Sequence, residues 1–290
     1  SMTMSLRSLL FAPTNHPRHV QKALTGEADG AILDLEDAVA VREKPAARAA
    51  VRDLLANRAA RFPRAFVRIN GLTTPFAYAD LHAAVWPGLD GIVLPKAESA
   101  AQLATADWLI TQLERERDLP LGAIEILPII ETAAGLTQID QIAAASPRIK
   151  RLNFGAGDFT LDTRMLWSPG NPGLVWARVR VVVASRAAGL AAPIDTVFAN
   201  LSDADGLAVE AAQAKELGFG GKACIHPNQV ATVHAVFTPT PTEVAHAQQI
   251  VAAFAEAEAQ GIASLRVGEL FVDYPVAARA RLVLELADYA

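Results

Sequence analysis

Cysteine is almost absent from this chain, which has a single one, Cys224, among its 290 residues. One cysteine excludes a disulfide framework, and its position inside an apolar run predicts a buried thiol. Long hydrophobic runs are also missing, since none approaches the roughly 20 apolar residues that span a bilayer. The N-terminus lacks the apolar core of a secretory signal peptide. We therefore expect a cytoplasmic location without membrane contact.

An excess of positive charge is missing too. Lysine and arginine number 26 against 31 acidic residues, which gives a formal net charge of −5. Nucleic-acid-binding domains are usually basic, so this balance argues against a nucleic-acid partner. It leaves room for a small anionic ligand, which needs only a local basic pocket. The hydrophobic share of 52% predicts a folded chain with a sizeable core.

Short apolar runs alternate along the chain with longer stretches of helical periodicity, such as Lys44–Arg61, Ala100–Arg117, Trp176–Gly189 and Ala204–Gly218. The apolar runs predict eight strands: Ser8–Ala12, Gly30–Leu35, Ala65–Ile69, Gly91–Pro95, Ile124–Ile130, Leu152–Ala156, Ala192–Phe198 and Lys222–Ile225. Eight strand-then-helix units are typical of an α/β fold, the (β/α)8 TIM barrel. A doubly wound sheet is the alternative, but the G-x-G-x-x-G fingerprint is absent, since Thr160 stands where the third glycine would be.

The chain continues beyond what a barrel requires. We expect residues 1–235 to form the barrel domain and residues 236–290 a C-terminal helical extension that acts as a lid. An Ala-rich helix is predicted over Thr242–Gln260, with Thr242 as its N-cap, and a last helix near Pro275–Ala287. An extension of this kind typically packs on a neighbour or covers a site.

Two carboxylates follow the fifth and sixth predicted strands. Glu131 ends the run ILPII and Asp158 follows LNFGAG, 158 − 131 = 27 positions later, about one strand-plus-helix repeat. Parallel strands that feed helices present their carboxyl ends to the ligand side of a barrel. Mg²⁺ commonly takes one or two carboxylates there and fills its other positions with water and substrate oxygens. The alternative is that Glu131 caps a helix starting near Thr132 and Asp158 lies in a glycine-rich turn.

Polar residues follow other predicted strands in the same way. They are Asp34, Glu36 and Asp37 at the end of the second strand, Arg68 and Asn70 at the third, Lys96 and Glu98 after the fourth, and His226 after the eighth. A single such residue is easily a helix cap. Six strands with polar ends favour a site at the common mouth of the barrel.

Three of these residues have two interpretations each. Arg68, within an apolar strand, needs an anionic partner, either Glu36 or Asp37 as an ion pair or a substrate carboxylate; we favour the substrate. Lys96 is either a Schiff-base amine or an ion-pair partner, for example of Glu98. His226 is either a general base or an orienting hydrogen-bond donor.

These strand-end segments together resemble the CitE-like branch of the HpcH/HpaI aldolase/citrate lyase family, which includes the citrate lyase β-subunit and malyl-CoA and citramalyl-CoA lyases. No single segment is decisive, but seven occur in family order over nearly the whole chain. They are RSLLFAPTNHP (Arg7–Pro17), LDLEDAV (Leu33–Val39), VRIN (Val67–Asn70), LPKAE (Leu94–Glu98), IIETAAG (Ile129–Gly135), FGAGDFT (Phe154–Thr160) and GKACIHPNQV (Gly221–Val230).

The resemblance implies a Mg²⁺-dependent lyase on a TIM barrel, usually a trimer or a multiple of one. By position it makes Glu131 and Asp158 the metal ligands and Arg68 the residue that holds the substrate carboxylate. Its late aspartate falls on Asp273 in FVDYP, which in related lyases acts in acid–base chemistry from a lid donated by a neighbouring subunit. Glu36, Asp37 and Lys96 are expected to complete the substrate site, together with Glu131.

The implied reaction is retro-Claisen or retro-aldol cleavage, or its reverse, of a 3-hydroxyacyl-CoA thioester that carries a carboxylate. A metal-dependent aldolase acting on free 2-keto acids is one alternative, and it would not need Asp273 or the tail. A non-catalytic accessory protein on the same barrel is the other. A Schiff-base aldolase through Lys96 is less favoured than any of these.

Overall fold

Eight parallel strands close into a barrel in the computed structural model, which describes residues 5–58 and 60–289. The strands follow one another in chain order around the barrel, and the first pairs with the eighth. They are β1 (Ser8–Pro13), β2 (Gly30–Asp34), β3 (Arg64–Arg68), β4 (Gly91–Leu94), β5 (Glu125–Ile130), β6 (Asn153–Phe154), β7 (Ile194–Asp195) and β8 (Gly221–Cys224). The predicted TIM barrel is confirmed, and the alternative prediction of a doubly wound sheet is wrong.

Helices surround the barrel and join its strands. They are α1 (Pro17–Thr25), α2 (Lys44–Ala56), α3 (Ala77–Ala84), α4 (Ala100–Glu116), α5 (Ala133–Thr137), α6 (Ile139–Ala143), α7 (Ala156–Thr163), α8 (Pro172–Ala187), α9 (Ala204–Leu217) and α10 (Val230–Phe237). The helix predicted over Lys44–Arg61 ends earlier, at Ala56. The helix predicted from Trp176 begins earlier, at Pro172, because the side chain of Asn171 accepts a hydrogen bond from the Gly173 amide and caps it.

The barrel is a packed core rather than a pore. Its interior is filled by a cluster of apolar side chains from β1 to β5 and β7, including Leu9, Ile32, Phe66 and Leu127, while a larger cluster fills the space between strands and helices. Cys224 lies in that larger cluster, and burial raises the pKa of its thiol to about 12, so the prediction of a buried thiol is confirmed.

The tail forms a compact unit with an apolar cluster of its own. Helix α11 (Pro241–Ala259) packs on α12 (Tyr274–Tyr289), and a hairpin of β9 (Leu265–Val267) and β10 (Leu270–Val272) lies between them in the chain. The N-cap of α11 is Thr240, whose hydroxyl accepts from the Glu243 amide, so the prediction of Thr242 is wrong. A proline at position 241 suits the first helical turn, and this moves the cap one residue before it.

No helix in the described part of the chain is both long and apolar enough to cross a membrane. The division into a barrel domain and a lid at residue 235 stays a prediction.

Candidate active site

A pocket of about 440 Å³ opens at the carboxyl ends of the barrel strands. Four of the residues predicted from the sequence line it: Asp37, Arg68, Glu131 and Asp158. Glu36 and Lys96 line an adjoining cleft that shares Asp37 with the pocket. Most of the polar residues that follow the predicted strands therefore lie together around one pocket and its adjoining cleft.

Glu131 is the most unusual carboxyl group in this pocket. It directly follows β5 and is 3% exposed, and its Oε1 accepts a hydrogen bond of 2.8 Å from the Lys96 amide. Burial raises the pKa of Glu131 to about 8, and the nearby charges of Asp158 and Glu36 act in the same direction. A carboxylate in these surroundings requires a cation. The helix α5 is capped by Thr132 instead, so the capping interpretation of Glu131 is wrong.

Asp158 faces the same pocket from the first turn of α7, with 29% of its side chain exposed. The start of this helix is held by the Thr196 hydroxyl, which accepts a 2.8 Å hydrogen bond from the Ala156 amide. Gly155, just before the helix, leaves the space that Glu131 occupies, since a Cβ there would lie 2.7 Å from Glu131 Oε2. The alternative of a glycine-rich turn at Asp158 is wrong, because Asp158 lies in the first turn of α7.

Lys96 places a positive charge among these carboxylates. Its Nζ lies 3.2 Å from Glu36 Oε2 and 3.9 Å from Asp158 Oδ2. Burial alone would lower the pKa of Lys96, but the charges of Glu36, Glu131 and Asp158 outweigh it and the pKa is raised. Lys96 therefore forms an ion pair as predicted, but its partner is Glu36 and not Glu98. The Lys96 backbone is left-handed at φ +48°, which turns the chain sharply after β4.

The donor set suits a hard divalent cation. Burial raises the pKa of Glu36 despite the charges of Arg68 and Lys96, as it raises that of Glu131. The carboxyl groups of Glu36, Glu131 and Asp158 therefore share a region with too little positive charge. Within residues 5–58 and 60–289, no group of three or more Asp, Glu, His or Cys side chains is arranged to hold a metal ion. Glu131 and Asp158 alone would hold it, which matches the preference of Mg²⁺ for few carboxylates and several waters.

Arg68 is held by Asp34, a strand-end residue that the sequence did not identify as its partner. Its Nε and Nη2 donate to Asp34 at 2.8 and 2.6 Å, and its Nη1 lies 3.3 Å from Glu36 Oε1. Burial would lower the pKa of Arg68, but these carboxylates outweigh burial and raise it. Of the two predicted partners only Glu36 is in contact, and Asp37 is not. Asp34 and Arg68 are register partners in β2 and β3, and this register is set by the closed barrel, so no signal in the sequence distinguished Asp34 from Glu36 and Asp37.

Two predicted residues lie away from the pocket. The ring of His226 accepts a 3.1 Å hydrogen bond at Nδ1 from the Asn228 amide and is exposed, so His226 orients its own turn as an acceptor rather than a donor. Asp273 caps α12, with its Oδ1 accepting from the Val276 amide at 3.3 Å. It is not among the residues that line the pocket of its own chain, and its contribution to a neighbouring subunit stays a prediction.

Substituting Gly155 tests the geometry of this pair of carboxylates. We expect Gly155→Ala to lower Mg²⁺ affinity by roughly tenfold to a hundredfold, because the new methyl group would displace Glu131. Isothermal titration with Mg²⁺ measures this. Gly71→Ala is the matched control, since a Cβ there meets nothing within 4 Å. Equal Mg²⁺ affinity in both variants would contradict the assignment of Glu131 as a ligand.

The closed parallel barrel and the position of its pocket define the class: this is an enzyme built on a TIM barrel. The profile of the HpcH/HpaI aldolase/citrate lyase family matches residues 7–227, and that of C–C bond lyases of the TIM-barrel fold matches residues 177–284. The chain belongs to the HpcH/HpaI aldolase/citrate lyase family.

Individual relatives agree along almost the whole length. The chain is 39% identical over 282 residues to the citrate lyase subunit beta of Leuconostoc mesenteroides subsp. cremoris, which covers 97% of this chain and 93% of the relative. It is 34% identical to the L-malyl-CoA/beta-methylmalyl-CoA lyase of Rhodobacter capsulatus, covering 98% and 95%. The crystal structure of CitE from Mycobacterium tuberculosis with magnesium, acetoacetate and coenzyme A superposes with a TM-score of 0.80, at 30% identity and 98% coverage of both chains.

Proposed function

We propose that this protein is a Mg²⁺-dependent carbon–carbon lyase that cleaves or forms a carboxylate-bearing 3-hydroxyacyl-CoA thioester. The observation that carries the proposal is the pairing of Glu131 and Asp158 beside Arg68 in one pocket of a family that includes citrate and malyl-CoA lyases. Bound on these two carboxylates, Mg²⁺ supplies Lewis-acid polarisation of substrate oxygens.

Arg68 binds the substrate carboxylate in this proposal. Asp34 holds the guanidinium through Nε and Nη2, so the group is fixed before the substrate arrives. Asp34 does not occupy Nη1, which lies 3.3 Å from Glu36 Oε1. In the proposed complex, Nη1 donates a hydrogen bond to the substrate carboxylate. The ring of Phe11 lies under the guanidinium, 4.7 Å from Cζ to the ring centroid, and limits its movement.

Cleavage breaks the bond between the carbon that bears the hydroxyl group and the carbon next to the thioester. A base takes the hydroxyl proton, and an acid returns a proton to the departing enolate carbon. Asp273 is assigned to one of these two steps, reaching the pocket from the tail of a neighbouring protomer in a trimer or a multiple of one. The support for a second chain is that the tail has its own apolar cluster and that Asp273 lies outside its own pocket.

Mixing two inactive variants tests the shared site. We expect Glu131→Ala and Asp273→Ala each to abolish turnover, while co-refolded mixtures regain a fraction of it. A mixed assembly contains sites with an intact Glu131 from one protomer and an intact Asp273 from the other. Turnover is followed by release of the keto acid. A mixture that stays as inactive as its components would place Asp273 in its own chain's site or outside catalysis.

The reaction class is tested by titrating glyoxylate or pyruvate into the protein, each with and without Mg²⁺ and acetyl-CoA. We expect metal-dependent binding that acetyl-CoA strengthens. Keto-acid binding that ignores acetyl-CoA would favour the aldolase of free 2-keto acids. No binding under any condition would favour the non-catalytic barrel protein.

A further inference from the structure

A second cavity lies at the opposite end of the barrel from the active-site pocket. Its volume is about 890 Å³, larger than that of the pocket, and it is open to solvent. It is lined by the segments that lead from helices into strands β3, β4, β5 and β6, which places it at the amino-terminal end of the barrel. The retro-Claisen proposal gives this cavity, which we call the basal cleft, no role.

Positive charge is concentrated around the basal cleft, although the whole chain is acidic. Among the residues that the structure describes, Arg61, Arg64 and Lys150 line it together with two carboxylates, Asp90 and Glu125. Both carboxylates are already paired with arginines. Arg58 Nη1 lies 3.1 Å from Asp90 Oδ2. Glu125 pairs with Arg64, whose Nη1 lies 3.5 Å from Oε1, and with Arg151, whose Nε lies 3.2 Å from Oε2. Three cations and two anions thus line the cleft, and two further arginines, Arg58 and Arg151, pair with those anions.

Two of these cations are available to a ligand. Arg61 and Lys150 are exposed, and neither makes an ion pair with any residue in the described part of the chain. Lys150 Nζ contacts only a backbone carbonyl oxygen, that of Pro147, at 2.9 Å. Exposed cations on a convex surface are ordinarily fully solvated. Here, however, they share one concave cavity rather than a convex surface.

Two further arginines lie against Trp86, which lines the cleft. The guanidinium carbons of Arg52 and Arg117 lie 3.5 and 3.7 Å from its ring centroid. Burial lowers the pKa of Arg117, the charge of Glu116 acts in the opposite direction, and the charge of Arg52 lowers the pKa further. Phe62, 47% exposed, adds an uncovered aromatic ring to the same wall.

We propose that the basal cleft binds an organic polyphosphate of nucleotide size. Arginine forks and lysine ammonium groups match phosphate oxygens. The volume lies within the range of small-molecule sites and exceeds what one inorganic phosphate needs. The exposed ring of Phe62 offers contact to a flat base. The phosphates lie against Arg61 and Lys150, and the base lies against Phe62.

The test is isothermal titration of the full-length protein with ATP, tripolyphosphate or adenosine, in EDTA so that no metal contributes. We expect ATP to bind more tightly than tripolyphosphate, both to weaken as salt is raised, and adenosine alone to bind undetectably. The double variant Arg61→Ala/Lys150→Ala should lose at least about tenfold in ATP affinity. Phe62→Ala should weaken ATP but leave tripolyphosphate unchanged.

The matched control removes a cation from the other end of the barrel. Arg18→Ala deletes an exposed arginine at the carboxyl-terminal end, in α1, and should leave ATP affinity unchanged. Both altered basal cations are exposed, so the double variant should keep the wild-type melting temperature. ATP affinity that survives the double variant, or that falls in Arg18→Ala instead, would overturn the proposal. So would the absence of ATP and tripolyphosphate binding in the wild-type protein.

Discussion

Glu131→Gln is expected to abolish lyase turnover, by roughly a thousandfold or more, without unfolding the protein. The substitution removes one of two carboxylates proposed to hold Mg²⁺, and Lewis-acid stabilisation by a bound metal is worth several kcal/mol. The fold should gain slightly in stability. Glu131 is buried beside Asp158 and Glu36, and a neutral amide ends that repulsion while it still accepts the hydrogen bond from the Lys96 amide.

Steady-state assays and thermal melts on the same preparation separate the two effects. The control is Glu116→Gln, an exposed glutamate at the end of α4, which should leave both turnover and melting temperature unchanged. A loss of turnover together with a clear loss of stability would show that Glu131 is mainly structural. Retained turnover would remove it from the site.

Lys222→Met is expected to lower the free energy of unfolding by roughly 3–5 kcal/mol, because it leaves buried carboxylates without their cation. Lys222 and Asp195 are both fully buried, and Lys222 Nζ lies 2.8 Å from Asp195 Oδ2 and also pairs with Glu210. Arg178 remains as a second partner of Asp195 at 2.8 Å, which keeps the loss at this level rather than higher. Urea denaturation measures the difference.

The pH dependence of this loss has a definite sign. Burial would raise the pKa of Asp195, but the charges of Lys222 and Arg178 outweigh burial and lower it. A lowered carboxyl pKa stabilises the fold above the ordinary value, about 4, and this contribution is lost as the pH falls through the folded value. The deficit of Lys222→Met should therefore be largest near neutral pH and shrink in acid.

Lys150→Met is the control for Lys222, since Lys150 is exposed and its loss should cost at most about 0.5 kcal/mol. If Lys222→Met instead keeps its stability and loses turnover, Lys222 belongs to the substrate site and not to the framework. Its motif, GKACIHPNQV, does not separate these two roles. The structure favours the framework because Lys222 pairs between β7, β8 and α9, outside the pocket.

The sequence by itself determined the fold and predicted that two carboxylates lie together at one end of it. Alternating apolar and helical segments specify eight strand-then-helix units, because strands covered on both faces must be apolar and helices need one apolar stripe. The same pattern identified Glu131 and Asp158, since residues at the carboxyl ends of parallel strands necessarily meet at one end of a barrel.

The tertiary structure alone decided which charges pair. The order of residues does not reveal that Arg68 lies opposite Asp34, because strand register depends on how the whole barrel closes. It does not reveal that Lys96 turns to Glu36 rather than to Glu98, since this follows from its left-handed backbone. It also does not reveal the basal cleft, whose lining residues come from four separate connections. Electrostatic contacts depend on distances of a few ångströms between remote segments, and only the packed chain sets those distances.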